Sequence, residues 1–202
     1  MSVFSRLSCV SGVAGLLLVG GLAGVTVAQA APGAVEIQGA PEAKVGALHC
    51  AARIDPVKKG EKFSAVTEIG CYNTFSAAIT AATGGQVARP ELTPETITEA
   101  DVGEAVTIIG IDYDGRNFSG ATFTWFTPGD RNGCFAPGTR FAANMPAIFN
   151  NRLTSTRGFS GCTKNDSFPG YNLTGLGGRC FPNCSYIGDF WNNTTSSKRW
   201  LR

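Results

Sequence analysis

The chain predicts a mainly β protein, a two-sheet sandwich over residues 106–202 preceded by a small α+β segment. Three observations carry this. The composition is rich in Gly (26) and Phe (13) but only 16% charged, which suits a compact β-rich chain better than a helical bundle or a disordered tail. From Val106 onward, "VTIIGIDY" and "ATFTWF" alternate like strands around the turn formers of "DGRNFSG". Short strand candidates then recur between Gly, Pro, Asn and Asp, the texture of an all-β sandwich.

Residues 1–30 read as a secretory signal. Arg6 gives a positive start, "VAGLLLVGGLAGVTV" is apolar and uncharged, and Ala28-Gln29-Ala30 supplies the small residues a signal peptidase needs. The run is too short and Gly-rich for a membrane anchor, and no stop-transfer charges follow. The mature chain is therefore expected to be secreted, with no membrane association after cleavage. Residues 31–47 carry scattered Pro and Gly and read as a loosely attached lead. "EKFSAVTEIGC" suggests a strand at about 62–70. In "NTFSAAITAATGG", Asn73 or Thr74 can cap a helix, Phe75, Ala78, Ile79 and Ala82 share one face, and Gly84-Gly85 can end it. The spacing predicts a short helix over 75–83. "RPELTPETITEADVGE" (89–104) reads as an irregular connection with a turn of helix after Thr93 or Thr98. Segment 31–105 as a whole is expected to pack without chemistry.

With Cys9 lost in the signal, six cysteines remain: Cys50, Cys71, Cys134, Cys162, Cys180 and Cys184. An even count in an oxidising compartment predicts three disulfides. Cys50 and Cys71 are alone in their segment and are expected to pair; spacing leaves the connectivity of the other four open. No Cys-x2-Cys pair exists and His49 is the single histidine, which argues against zinc. Charge is uneven. Residues 31–105 hold six basic and ten acidic side chains, while 106–202 hold ten basic and five acidic. Nothing is basic and aromatic in alternation, so no nucleic-acid partner is expected.

The β region contains an internal repeat, with halves at about 106–159 and 160–202. Asn150-Asn151-Arg152-Leu153-Thr154-Ser155 follows Phe149, and 42 residues later Asn192-Asn193-Thr194-Thr195-Ser196-Ser197 follows Trp191. Upstream lie Tyr113-Asp-Gly-Arg-Asn-Phe118-Ser-Gly120 and Thr163-Lys-Asn-Asp-Ser-Phe168-Pro-Gly170. Aromatic-x-Gly reads as a folded hairpin whose ring packs over the turn. Its distance to the Asn pair is 32 residues in one half and 24 in the other, the difference falling at the Cys134 insertion.

These residues resemble the βγ-crystallin family in its microbial, secreted, calcium-binding branch. That family joins two Greek-key motifs, each with an aromatic-x4-aromatic-x-Gly corner and an (Asn/Asp)-(Asn/Asp)-x-x-(Ser/Thr)-Ser clamp. Both clamps match at every specified position. Tyr113, Phe118 and Gly120 match the first corner; Phe168 and Gly170 match the second, with Thr163 where an aromatic is usual. The resemblance implies two calcium sites made by crossing the clamps. One would use the Asn151 side chain, the Arg152 carbonyl and the Ser196 hydroxyl; the other Asn193, the Thr194 carbonyl and Thr154. Each would add a hairpin carbonyl, near Asp114–Arg116 and near Lys164–Asp166. Calcium takes six to eight oxygens, and short amides, hydroxyls and carbonyls supply them. All ligands are neutral and the domain is net basic, so weak binding is expected.

No enzyme is expected: HExxH, GxSxG and phosphate-loop motifs are absent, and a lone histidine leaves little for a nucleophile–base pair. Asp112, Asp114, Asp166 and Asp189 read as solvated turn acids rather than a glycosidase pair. Two roles remain: a monomeric calcium-binding protein with a structural, stress-related or extracellular binding role, or a proteinase inhibitor or killer-toxin-like protein on the same fold. The second would present the insertion at 127–140 or "GRCFPNCS" to an extracellular protein such as a protease.

Overall fold

The computed structural model describes residues 48–129 and 132–202; the expected signal and lead lie outside the described residues. In chain order these form β1 (His49–Ile54), β2 (Val66–Tyr72), α1 (Phe75–Ala82), α2 (Glu99–Val102), β3 (Val106–Tyr113), β4 (Thr122–Pro128), β5 (Phe141–Asn144), β6 (Ser155–Gly158), β7 (Lys164–Phe168), β8 (Gly178–Cys180) and β9 (Ser197–Leu201). The predicted helix begins where Thr74 caps it, its hydroxyl accepting from the Ala77 N–H at 3.2 Å. Thr98 caps the single turn of α2 through a reciprocal bond with Asp101.

Two sheets result. The first runs β2-β1-β4-β3-β6 and the second β5-β9-β7-β8. Within each half of the repeat, the third segment leaves its own sheet. β5 pairs with β9, while Cys184, after β8, returns to bridge Thr156 of β6 through two backbone bonds of 2.9 and 3.0 Å. Each half thus lends a piece of backbone to the other, a Greek-key exchange that makes the two halves one sandwich. Between the sheets lie Phe123, Trp125, Phe141, Phe149 and Trp200, all at most 1% exposed, with the two indoles 5.2 Å apart. Burying rings of this size is worth about 1.5–3 kcal/mol each.

The first sheet does not stop at Val106. β1 lies parallel to β4, from His49 opposite Thr122 to Arg53 opposite Phe126, and β2 pairs antiparallel with β1. The reading of the sequence placed β2 a few residues early and passed over β1. "HCAARI" is short and small, and its burial comes from the neighbours it pairs with. The Cys50–Cys71 disulfide joins residues directly opposite in this ladder. The remaining cysteines pair as Cys134–Cys162 and Cys180–Cys184. On the outer face of the first sheet, Phe75, Ile79, Leu92, Ile97 and Val102 pack on Ile108, Ile111, Tyr113 and Phe126. With both faces covered, β3 and β4 are buried almost throughout instead of alternating.

Tyr113 ties this layer down, its phenol donating to the Pro94 carbonyl at 2.7 Å, with Arg157 donating to the same oxygen at 3.1 Å. Tyr113→Phe removes one of two donors and leaves no orphaned carbonyl, so it is expected to cost about 0.5–1.5 kcal/mol in urea unfolding. Limited proteolysis should cut the 89–98 stretch faster in the variant. Unchanged stability and cleavage would mean that this segment does not depend on the sheet.

Candidate metal centre

The two hairpins are equivalent, and their geometry corrects the register of the second corner. After Tyr113 the backbone turns through Gly115, Asn117 (φ 54°), Phe118 (φ 62°) and Gly120 (φ 85°). The matching positions are Phe168, Gly170, Asn172 (φ 59°), Leu173 (φ 59°) and Gly175 (φ 87°). The second corner is therefore Phe168-x4-Leu173-x-Gly175, five residues later than the reading built on Thr163, Phe168 and Gly170. Lys164–Asp166, expected near a hairpin carbonyl, lies inside β7; the hairpin oxygens belong to residues 169–171. The legible signal was the shared Gly-x-Asn-apolar-(Ser/Thr)-Gly of "GRNFSG" and "GYNLTG". It was missed because Leu173 replaces the aromatic and Phe168-Pro-Gly170 imitates the end of the pattern.

The clamps hold these hairpins from below. Ser155 donates to the Gly115 carbonyl at 2.6 Å and accepts from the Phe118 N–H at 3.1 Å. Ser197 does the same to Gly170 at 2.6 Å and Leu173 at 2.9 Å. A serine hydroxyl can do both at once because it is donor and acceptor. The last Ser of each clamp is thus a fastener that fixes its own hairpin.

One position earlier, each clamp reaches across to the other. The Asn151 N–H donates to the Thr195 carbonyl at 3.1 Å and the Asn193 N–H to the Leu153 carbonyl at 3.0 Å. Asn151 and Asn193 take left-handed φ values of 58° and 55°, which Asn tolerates better than most residues. The Ser196 hydroxyl meets Asn151 Oδ1 at 3.1 Å, so these two predicted site residues come together. Thr154 donates to Asn192 Oδ1 at 2.8 Å, the first Asn of the facing clamp and the chain neighbour of the expected Asn193. Asn150 Oδ1 is buried without a hydrogen-bond partner among the described residues, a second oxygen outside the expected ligand set.

Around these oxygens the charges are arranged asymmetrically. The Arg152 side chain pairs with Asp114 at 2.7 Å and donates to the Ile148 carbonyl, beside the first clamp. Thr194 bonds the Phe190 carbonyl at 2.8 Å. Among the described residues no three His, Cys, Asp or Glu side chains converge, so a cation here would rest on neutral oxygens. The acidic candidates serve other partners. Asp112 is buried against Lys198, Asp114 holds Arg152 and the Ala121 N–H, and Asp189 takes the Tyr186 hydroxyl. Asp166 is gripped by Arg179 and Arg199.

No protein-family model matches this chain, and no curated protein matches it. Solved structures do. At the level of fold, the similar structures are βγ-crystallin domains. One is the domain of Abundant Perithecial Protein from Neurospora crassa in its Ca2+-bound form, 20% identical over 56% of this chain and 94% of that one, at a TM-score of 0.34. An archaeal βγ-crystallin is 17% identical over 47% of this chain and 99% of that one, TM-score 0.34. A domain from Flavobacterium johnsoniae is 17% identical over 46% and 93%, TM-score 0.33. Among the described residues no helix is long and apolar enough to cross a membrane.

Two outcomes follow from this geometry. Ser197→Ala strips the Leu173 N–H and the Gly170 carbonyl of their partner and should cost about 1–3 kcal/mol, with hydrogen exchange rising at Leu173 first. An equal effect spread over the whole domain would contradict the fastener role. For Asp166, burial pushes the carboxyl up, but hydrogen bonds and charge from Arg179 and Arg199 prevail and hold it below its ordinary value. A depressed folded pKa means the stabilisation is present above the unfolded value of about 3.9 and is lost as pH falls through the folded one. Asp166→Asn should therefore flatten the loss of melting temperature below about pH 4. An unchanged acid limb would show that the pair contributes nothing.

Proposed function

We propose that the two crossed clamps bind calcium weakly and that the protein is a secreted, calcium-binding structural domain. The observation that supports this reading is the reciprocal hydroxyl–amide contact, Ser196 to Asn151 and Thr154 to Asn192, which gathers hard neutral oxygens from both halves at two related places. Asn151, the Arg152 carbonyl and Ser196 would hold one ion; Asn193, the Thr194 carbonyl and Thr154 the other, with Asn192 and the unpartnered Asn150 Oδ1 as added oxygens. Such donors fit calcium, a hard cation with flexible coordination. Without carboxylates in the clamps, and with Arg152 alongside, the affinity belongs with weak extracellular modules, on the order of 10⁻⁴–10⁻³ M.

Calcium a hundredfold above its dissociation constant should stabilise the fold by about 2.7 kcal/mol. With β1 and β2 in the same sheet, that corresponds to a melting shift of about 5–10 °C. Calorimetric titration should show Ser196→Ala and Asn151→Ala weakening one site non-additively, with coupling above about 0.5 kcal/mol. Thr154→Ala should couple to Asn192→Ala in the same way. No shift at 10 mM calcium, or a magnesium response as large, would defeat the proposal.

A second reading is favoured by one feature. Phe181 is 66% exposed on a loop closed by Cys180–Cys184 and pinned to β6 by the Cys184 bridge and by Asn183 accepting from the Gly158 N–H. A rigid loop presenting an aromatic side chain suits a proteinase inhibitor or toxin-like protein, because little ordering cost is left for binding. Stoichiometric inhibition of a secreted protease, lost in Phe181→Ala, would place this reading first.

A further inference from the structure

The interior of the sandwich holds a cluster that neither clamp uses. Asp112 of β3 and Lys198 of β9 are each 0% exposed, with Lys198 Nζ 2.5 Å from Asp112 Oδ1. Thr156 of β6 stands between them and Asn165 of β7. Its hydroxyl donates to Asp112 Oδ1 at 2.6 Å and accepts from Lys198 Nζ at 2.8 Å and from Asn165 Nδ2 at 2.7 Å. The Trp125 indole donates to Asp112 Oδ2 at 2.8 Å, and the Trp200 ring lies 5.4 Å from Nζ. Asn165 Oδ1 is buried with no partner among the described residues. As a purely structural device this is poor value, because burying an amine and a carboxylate costs several kcal/mol per ion and an apolar replacement is often as stable.

We propose that Lys198 and Asn165 join covalently, forming an amide between the two side chains with release of ammonia. Three requirements of that chemistry are present. The first is an amine that gives up its proton more readily than an ordinary lysine: burial drives the Lys198 pKa down against the pull of Asp112, and a desolvated lysine is a nucleophile once deprotonated. The second is a carboxylate to take the proton, which Asp112 Oδ1 supplies at 2.5 Å. The third is a route for a proton between the attacking and leaving nitrogens, and Thr156 Oγ1 touches both.

The step balances as follows. Asp112 removes one proton from the ammonium, and the Nζ lone pair attacks Asn165 Cγ while the carbonyl pair moves onto Oδ1. Through the Thr156 hydroxyl a second proton passes from Nζ to Nδ2. The Oδ1 pair returns, the Cγ–Nδ2 bond breaks, and ammonia leaves, taking the proton held by Asp112. The carboxylate is regenerated and the only losses are one ammonia and the lysine charge. Lys198 and Asn165 sit on adjacent antiparallel strands, β9 and β7, diagonal to one another in the ladder. The bond would staple the final strand of the chain into the second sheet.

Intact-mass analysis of the purified, reduced and unfolded mature protein tests this directly. The expected mass lies one ammonia below that of the mature sequence, and peptide mapping should recover one branched peptide carrying Asn165 and Lys198. Lys198→Arg and Asn165→Ala should each restore the full mass, and Thr156→Val should leave a larger unlinked fraction. The wild-type mass decides the matter even where a variant fails to fold. A full mass overturns the proposal, as does an ammonia loss mapped to any other peptide. A loss of water joining Lys198 to Asp112 would overturn the choice of acyl partner.

Discussion

The exchange of hydrogen bonds between the two clamps is the constraint on which the rest depends. Asn151 is bonded to Thr195, and Asn193 to Leu153, through backbone alone, so neither turn is complete without the other half. Backbone bonds of this kind hold whatever the side chains are, and they set where Thr154, Ser155, Ser196 and Ser197 point. The hairpins follow, because each is hung on a serine already placed. Each clamp directly follows an exchanged segment in the chain, β5 before the first and the Cys184 segment before the second.

Pairing two halves through their backbones leaves an interior that side chains must fill, and it is filled in two styles. Phe123, Trp125, Phe141, Phe149 and Trp200 supply ordinary apolar packing. Beside them Asp112, Thr156, Asn165 and Lys198 form a hydrogen-bonded polar cluster drawn from both sheets. A hydrogen-bonded cluster in a low-dielectric interior is directional in a way that apolar contact is not, and this one spans β3, β6, β7 and β9. Charged side chains also join the two chain segments, through backbone groups rather than through ion pairs. Arg157 of the basic half bonds the carbonyls of Pro94 and Glu95 in the acidic one, and Glu99 accepts from the Ser160 N–H.

How much of this was written in the chain differs from element to element. Thr74 and the Phe75, Ala78, Ile79 face marked α1 because helix capping and periodicity are local properties. The clamps were legible because six consecutive residues repeat with the same short oxygen-bearing side chains. Corner one was legible from Tyr113, Phe118 and Gly120; corner two was misplaced because its left-handed position is held by Leu173, and a decoy Phe-Pro-Gly precedes it. β1 carried no pattern, since its neighbours in the sheet, not its own sequence, bury it.

The sequence by itself determined the β character of residues 106–202, the two clamps and the isolation of Cys50 with Cys71, all of which depend on residues close together in the chain. Only the tertiary structure decided what lies across from what. It paired Thr154 with Asn192, brought β1 beside β4, and set Lys198 against Asp112, 86 residues away. Those contacts follow from sheet register and from the exchange of β5 and the Cys184 segment. Because side chains alternate along a strand, a shift of one residue would turn Lys198 to the opposite face of its sheet, and no local pattern records that choice.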